Sequence, residues 1–387
     1  MPIQSSSASF VRYLLPDPLP GDLWSYVEEK LNAGRFRECE EGLEWSAGFT
    51  SWDDFFEDSF EYSTHHKGEY VAFHFRVDQK KVPAMVLKQH MWEAIRKHRD
   101  ENGGKWPSRH QRQEMLETTQ AMLLSRAFPK PGGFDVVWSP SARWMLLGTT
   151  SSKMLEIFME HFEKHFRLYP LPLFHVNWAS HLIELDERRK DSLHSMTSGG
   201  IRALEEGRFL GYEFLTWLWF FIEQPHELLG LPQDRKAEIH LGERMILSLP
   251  QGGKERIVCT TQANALHEAR TALRQGKRVE QIQLFLRAGD NEYLFTLDST
   301  LWSIKGLKTP KQPPAAREED ADGRFLERMY FLEEVFSALN LLYERFLRER
   351  LDSSWESGTL KLMQHWIETG KEPEDGATVS TGQDAPF

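Results

Sequence analysis

Positions 80–130 hold eleven Lys and Arg against five Asp and Glu, a local excess of six positive charges in a chain of 387 residues whose formal net charge is −11. The chemistry open to such a set is neutralisation of a polyanion. Each Lys or Arg placed on a phosphate releases condensed counterions, and a concentrated basic stripe on an acidic body orients the encounter as well as strengthening it. Lys88, Arg96, Lys97, Arg99, Lys105, Arg109, Arg112 and Arg126 supply that stripe. The competing reading is a solvated helix face, which charge runs usually are. Nucleic acid is the first partner to weigh, and phosphate contacts of this kind need no base reading.

Other residue groupings point to catalysis less well. Asp53, Asp54, Glu57, Asp58 and Glu61 resemble the carboxylates of a magnesium-dependent nuclease, but Trp52, Phe55, Phe56 and Phe60 are interleaved with them. That interleaving describes the wet side of an amphipathic turn, and no metal site is assigned. His161 and His165 stand one helical turn apart with Glu163 between them, not directly after the first His, so the zinc-protease spacing fails and a helix surface is expected. No phosphate-cradling G-x-x-x-x-G-K-[ST] and no G-x-S-x-G elbow occurs. No catalytic residue and no cofactor follows from the residues. Cys39 and Cys259 form no metal spacing and read as buried, reduced side chains.

The elements that must position these groups read as an α+β fold with mixed sheets and packed helices. Strand, helix, strand opens the chain at Ala8–Leu15, Leu23–Leu31 and Gly42–Phe49, and Tyr70–Val77 alternates with a period near two. A helix over about Val82–Arg99 ends at Asn102-Gly103-Gly104; a second begins behind Pro107-Ser108, with Ser108 as cap, and reaches Phe128. The basic stripe thus rides on a helical hairpin. Beyond Pro129-Lys130-Pro131-Gly132-Gly133, Phe134–Trp138 and Trp144–Gly148 read as a hairpin of strands, and a helix capped by Ser151-Ser152 runs to Phe166. Gly211–Glu223 is apolar nearly all round and must be covered, by the fold or by another subunit. A second α+β region follows, with strands at Glu238–Leu249, Arg256–Thr260, Val279–Arg287 and Glu292–Leu297 around a helix at Ala263–Arg274.

These divide the chain into an α+β region over 1–200 that carries the hairpin, a second over 201–308, a linker over 309–323 rich in Pro, Ala and acid, a helical segment over 324–370, and a disordered tail over 371–387. Hydrophobic residues make up 40% of the chain, enough for a sizeable core. Met1–Phe10 carries no secretory pattern, and the longest apolar run, Phe214–Ile222, is far below the roughly 20 residues of a membrane span. A soluble, cytoplasmic protein without a membrane partner is expected.

Four stretches then carry a resemblance: Val82-Pro83-Ala84-Met85-Val86-Leu87-Lys88, Leu124-Ser125-Arg126-Ala127-Phe128, Val137-Trp138-Ser139 and Leu146-Leu147-Gly148-Thr149-Thr150-Ser151-Ser152-Lys153. In order and spacing the chain resembles the RdgC family of bacterial recombination-associated DNA-binding proteins over about Phe10–Leu173. The likeness returns in Ala272–Leu307, with Gln275-Gly276-Lys277 and Trp302-Ser303-Ile304-Lys305-Gly306-Leu307-Lys308. The resemblance implies a homodimer closed into a ring, whose positively lined hole surrounds duplex DNA without reading sequence and which limits the recombinase RecA by competing for DNA. It implies a nucleoid-associated protein. Lys88, Arg96, Lys97 and Arg99 match the family's basic helix face, Arg126 and Phe128 its Arg-Ala-Phe at a contact between subunits, and Lys277 joins the DNA-binding set. By the same comparison 211–251 is an insertion and 324–370 an extension. A magnesium-dependent DNA exonuclease is the alternative that the family carries.

Overall fold

The computed structural model describes residues 3–39, 43–61, 64–172, 176–197, 210–249, 255–260, 263–299, 302–311 and 321–370. The expected tail and most of the expected linker lie outside the described residues. In chain order the elements are β1 (Ser7–Leu14), α1 (Leu23–Ala33), β2 (Trp45–Thr50), β3 (His66–Lys67), β4 (Tyr70–Lys80), α2 (Ala84–Glu101), α3 (Arg109–Arg126), β5 (Pro129–Ser139), β6 (Trp144–Leu147), α4 (Ser152–Phe166), β7 (Leu171–Pro172), α5 (Val176–Leu182), α6 (Glu187–Thr197), α7 (Leu210–Glu223), β8 (Leu229–Leu231), β9 (Arg235–Ser248), β10 (Arg256–Thr260), α8 (Ala263–Arg274), β11 (Arg278–Ala288), β12 (Asn291–Asp298), β13 (Ile304–Lys308), α9 (Ala321–Arg350) and α10 (Thr359–Thr369). The class is α+β. Two compact units emerge, one of residues 15–170 and one that joins 1–14 to 171–387.

In the 15–170 unit the sheet order is β6-β5-β4-β2, with β3 on β4. Its strand pairs are antiparallel, where sequence had indicated mixed sheets. The cause is the helical excursion between β4 and β5. Going out along one helix and back along the next returns the chain to where it left, so Lys80 pairs with Pro129 and the strands run in opposite directions. Strand β5 also begins earlier than expected, at Pro129. Only Val136–Ser139 of β5 pairs with β6, so within these pairings the first residues of β5 bond to β4 alone, a place where Pro is tolerated. Gly133 is required there: a Cβ at that position would come within 2.3 Å of the Phe75 carbonyl oxygen.

The alternation along β4 divides its side chains between two covered faces. Phe73, Phe75 and Val77 are buried on one, and Phe75 meets Phe158 edge-on at 5.2 Å and Phe134 at 5.7 Å. Helix α4 supplies Leu155, Phe158, Phe162 and Phe166 at three- and four-residue spacing, with successive Phe rings stacked at 5.4 and 4.4 Å. On the other face His74 stacks on Trp52 at 5.1 Å, and the Arg76 guanidinium forks onto Asp78 at 2.8 and 2.7 Å under the Phe36 ring. The acidic, aromatic segment after β2 sets Trp52 and Phe55 against His74 and buries Phe60, while Phe56 stays 63% exposed. Asp53 pairs with Lys67 at 2.9 Å, while Asp54 and Glu57 accept the backbone N–H groups of Phe56 and Ser59.

His161 corrects the expectation of a helix surface: it packs edge-on against Phe49 at 4.8 Å, and its Nε2 lies 2.8 Å from the Gly34 carbonyl oxygen. Burial, more than any neighbouring charge, holds its imidazole below the ordinary range. Burial likewise pushes His65, beside His66, and His165 each down to about 4. These rings are neutral when folded and titrate near 6.5 when unfolded, so their contribution is complete above about pH 6.5 and is lost as pH falls toward 4. A urea midpoint measured at pH 5 is expected below that at pH 7, with His65→Asn narrowing the gap; equal midpoints would reject the assignment.

In the unit that joins 1–14 to 171–387, the strand order is β10-β9-β11-β12-β13-β1, with β8 on β9 and β7 on β1. Each of these pairs is also antiparallel. Helix α7 answers the question raised by its all-round apolar sequence: Phe214 lies 5.3 Å from Phe346 of α9, Trp217 lies 5.5 Å from the same ring, and Trp219 meets Trp366 of α10 edge-on at 4.8 Å. The fold itself covers this helix. Segment 211–251 is built into the sheet, since β9 lies between β10 and β11. Two buried charges on α9 are spent structurally. Arg328 donates to the carbonyl oxygens of Ile3 and Ser5 at 2.8 and 2.9 Å, and Glu334 accepts from Asn291 at 3.0 Å and from Tyr293 and Arg235. Cys259 is buried as expected, whereas Cys39 is only half-buried, its Sγ 3.2 Å from the Leu43 carbonyl oxygen. Among the described residues no helix is long and apolar enough to cross a membrane.

Candidate nucleic-acid interface

The helical hairpin is fixed by local chemistry at each end. Helix α2 starts behind Pro83, whose φ of −60° and extended ψ deliver the chain into the first turn. It stops at Asn102, and Gly103 and Gly104 take φ values of +62° and +88° to reverse direction, a conformation that favours Gly. Helix α3 opens with a reciprocal cap: the Ser108 hydroxyl accepts the Gln111 N–H at 3.3 Å, and the Gln111 side chain accepts the Ser108 N–H at 2.9 Å.

Packing leaves most of this hairpin in solvent. Helices α2 and α3 lie against each other, yet Ile95 is the one buried residue described on α2 and Thr119 the one on α3. Lys88, Arg96, Lys97, Lys105, Arg109, Arg112 and Arg126 are exposed and Arg99 is half-buried. Among the described residues Lys88, Arg96, Lys105, Arg109, Arg112 and Arg126 have no carboxylate within 4 Å. Cations kept unpaired on an open surface retain their charge for an incoming anion.

Helical geometry sorts the expected residues. At about 100° per residue, Lys88, Arg96 and Arg99 share a sector of about 80° on α2, and Arg109, Arg112 and Arg126 share one of about 100° on α3. Lys97 falls on the opposite side of α2 from Lys88, its Nζ 3.9 Å from Glu101. Lys105 lies in the turn between the helices. Lys277 is corrected: it is buried in the other unit, with its Nζ 3.4 Å from Glu255, so its charge is not offered to solvent as the hairpin cations are.

Two aromatic members of the surface escaped the sequence reading. Trp92, 57% exposed, falls in the sector of Lys88 and Arg96, and Trp106, 59% exposed, lies under the Arg99 guanidinium at 4.5 Å. Their signal was available: a Trp one helical turn from Lys88 and from Arg96 has no apolar stripe to join. Exposed rings among cations are the pairing by which proteins hold nucleic-acid bases and backbone together. Phe128 is no part of the core. It is 93% exposed, just past the point where Ala127 leaves helical geometry.

Among the described residues no group of three or more His, Cys, Asp or Glu side chains could hold a metal ion. The acidic set of the sequence reading is instead engaged in the turn contacts given above, apart from Asp58 and Glu61.

A family model matches residues 13–183, and its description is "Putative exonuclease, RdgC". No curated protein matches the chain.

Proposed function

We propose, on the footing of the RdgC family match to residues 13–183, that the chain is a sequence-independent duplex DNA-binding protein that acts as a homodimer closed around DNA. The observation that carries the reading is the set of exposed, unpaired hairpin cations. Held on two 18-residue helices, they are placed for phosphate neutralisation without base contacts. In this reading Phe128 docks into a second copy where the ring closes, since a Phe that is 93% exposed is otherwise unsatisfied apolar surface. A protein so engaged sits on the nucleoid and modulates RecA-dependent recombination by occupying DNA that the recombinase needs.

The test is a gel-shift series on plasmid and linear duplex at several salt concentrations, paired with solution mass. A dimer whose affinity falls steeply with salt and ignores sequence is expected. A monomer that leaves plasmid unshifted in dilute buffer would overturn the reading. Phe128→Ala is expected to raise the dimer dissociation constant at least tenfold while the thermal midpoint of the fold stays within about 1 °C, because an exposed surface residue contributes little to stability. Loss of the folded state in this variant would return Phe128 to the core.

The exonuclease named in the family's description favours a second reading, here taken as magnesium-dependent. End-labelled linear duplex incubated with the protein and magnesium separates the two: progressive release of labelled nucleotide supports the nuclease, intact DNA the binding protein.

A further inference from the structure

A cavity of about 370 Å3 opens in the 15–170 unit between the turn after α1, the first residues of β2 and the C-terminal half of α4. Arg35, Arg37 and Lys164 line it, are exposed, and have no carboxylate within 4 Å among the described residues. Glu38 is the one acidic residue among those described as lining it. The Ser46 hydroxyl is shielded from solvent at its wall and lacks a hydrogen-bond partner. Trp45 stands at the same wall, 45% exposed.

We propose that this cavity binds a nucleotide bearing a phosphomonoester, with Arg35, Arg37 and Lys164 around the phosphate and Trp45 against the base. A phosphodiester carries one negative charge, but a phosphomonoester carries about −1.5 to −2 at pH 7 and offers three acceptor oxygens. Three cations around one cavity, unpaired among the described residues, match the second. Arginine forks suit a planar pair of phosphate oxygens. The volume lies in the range of small-ligand sites, and an exposed Trp is a sequence-tolerant platform for a base.

The histidines report on occupancy. The His165 ring lies 4.6 Å from that of His161, tilted by 43°. Burial first, then the charges of His161, Lys164, Arg167 and Arg37, push its imidazole down to about 4. His161 keeps its contact with the Gly34 carbonyl oxygen, and Glu38 is the facing carboxylate. An anion held among these cations favours the imidazolium, so His165 should titrate at higher pH when the cavity is filled.

Calorimetry with deoxyadenosine monophosphate provides the test. The wild-type chain is expected to bind it, and Arg37→Gln and Lys164→Gln, both at exposed positions, each to weaken binding about tenfold, the loss of one charge-assisted hydrogen bond. The His165 resonance should titrate at higher pH with the nucleotide than without it. A free nucleotide and a strand end share this chemistry. Competition by a 5′-phosphorylated oligonucleotide identifies the strand end, and failure to compete identifies the free nucleotide. Equal competition by the 5′-hydroxyl oligonucleotide overturns the phosphomonoester assignment, and equal affinity for inorganic phosphate overturns the base contact. No binding at millimolar nucleotide, or unchanged binding in both variants, overturns the site. The measurement is independent of duplex binding by the hairpin, so either reading can fail alone.

Discussion

Replacing Lys88, Arg96, Arg109 and Arg112 together by Gln is expected to lower duplex affinity about four-thousandfold per engaged protomer at 0.1 M salt and to flatten its salt dependence by about 3.6 units per protomer. The reasoning starts from counterion release, in which each phosphate neutralised adds about 0.9 to the slope of log affinity against log salt. At 0.1 M each such contact is therefore worth somewhat under tenfold. All four side chains are exposed and none is paired to a carboxylate among the described residues, so the variant loses no internal contact and its thermal midpoint should hold. Arg99 is left intact because it also stacks on Trp106, which would mix packing with charge. A quadruple variant with wild-type slope would remove the hairpin from the DNA surface altogether.

The second large effect concerns folding. Glu334→Ala is expected to destabilise the unit that contains α9 by about 3–5 kcal/mol, because removing one member of a buried charged network leaves the others unpaired. Glu334 is buried and accepts from Tyr293, Asn291 and Arg235. Burial and the adjacent carboxylate together hold the Tyr293 phenol far above its ordinary range, so it stays a neutral donor and would be orphaned. For a unit of this size the loss corresponds to about 10 °C in thermal midpoint. Glu334→Gln, which keeps one acceptor oxygen, should recover part of it. A midpoint unchanged within about 2 °C in the Ala variant would show that the network contributes nothing.

Helix boundaries in the hairpin were legible because their causes are local: Pro83, the Asn102-Gly103-Gly104 stop and the Ser108 cap act within a few residues of themselves. The same holds for the alternation of β4 and the Phe spacing of α4. Legibility ends where partners are distant. Whether Gly211–Glu223 faced its own chain or another depended on Phe346 and Trp366, more than a hundred residues away. Lys277 joined the DNA-binding set by resemblance alone, and only the fold shows it buried against Glu255. The cavity near His165 draws Arg35 and Arg37 to Lys164, a juxtaposition no spacing rule contains. Phe128 was the harder case, since its exposure contradicts its residue type, and family likeness rather than local pattern pointed to it.

Strand β1 closes its unit by pairing Ser7, Ala8 and Phe10 with Lys308, Leu307 and Ile304, and Arg328 reaches back to Ile3 and Ser5. On a ribosome adding about 5–20 residues per second, the first strand emerges tens of seconds before β13 exists. The 15–170 unit can mature in that interval, while the side of β1 that pairs with β13 waits unfilled. Fast synthesis or a holding chaperone would shorten or guard that wait, and a bulky tag fused ahead of Ser7 would penalise the late-made half of the protein rather than the half it adjoins.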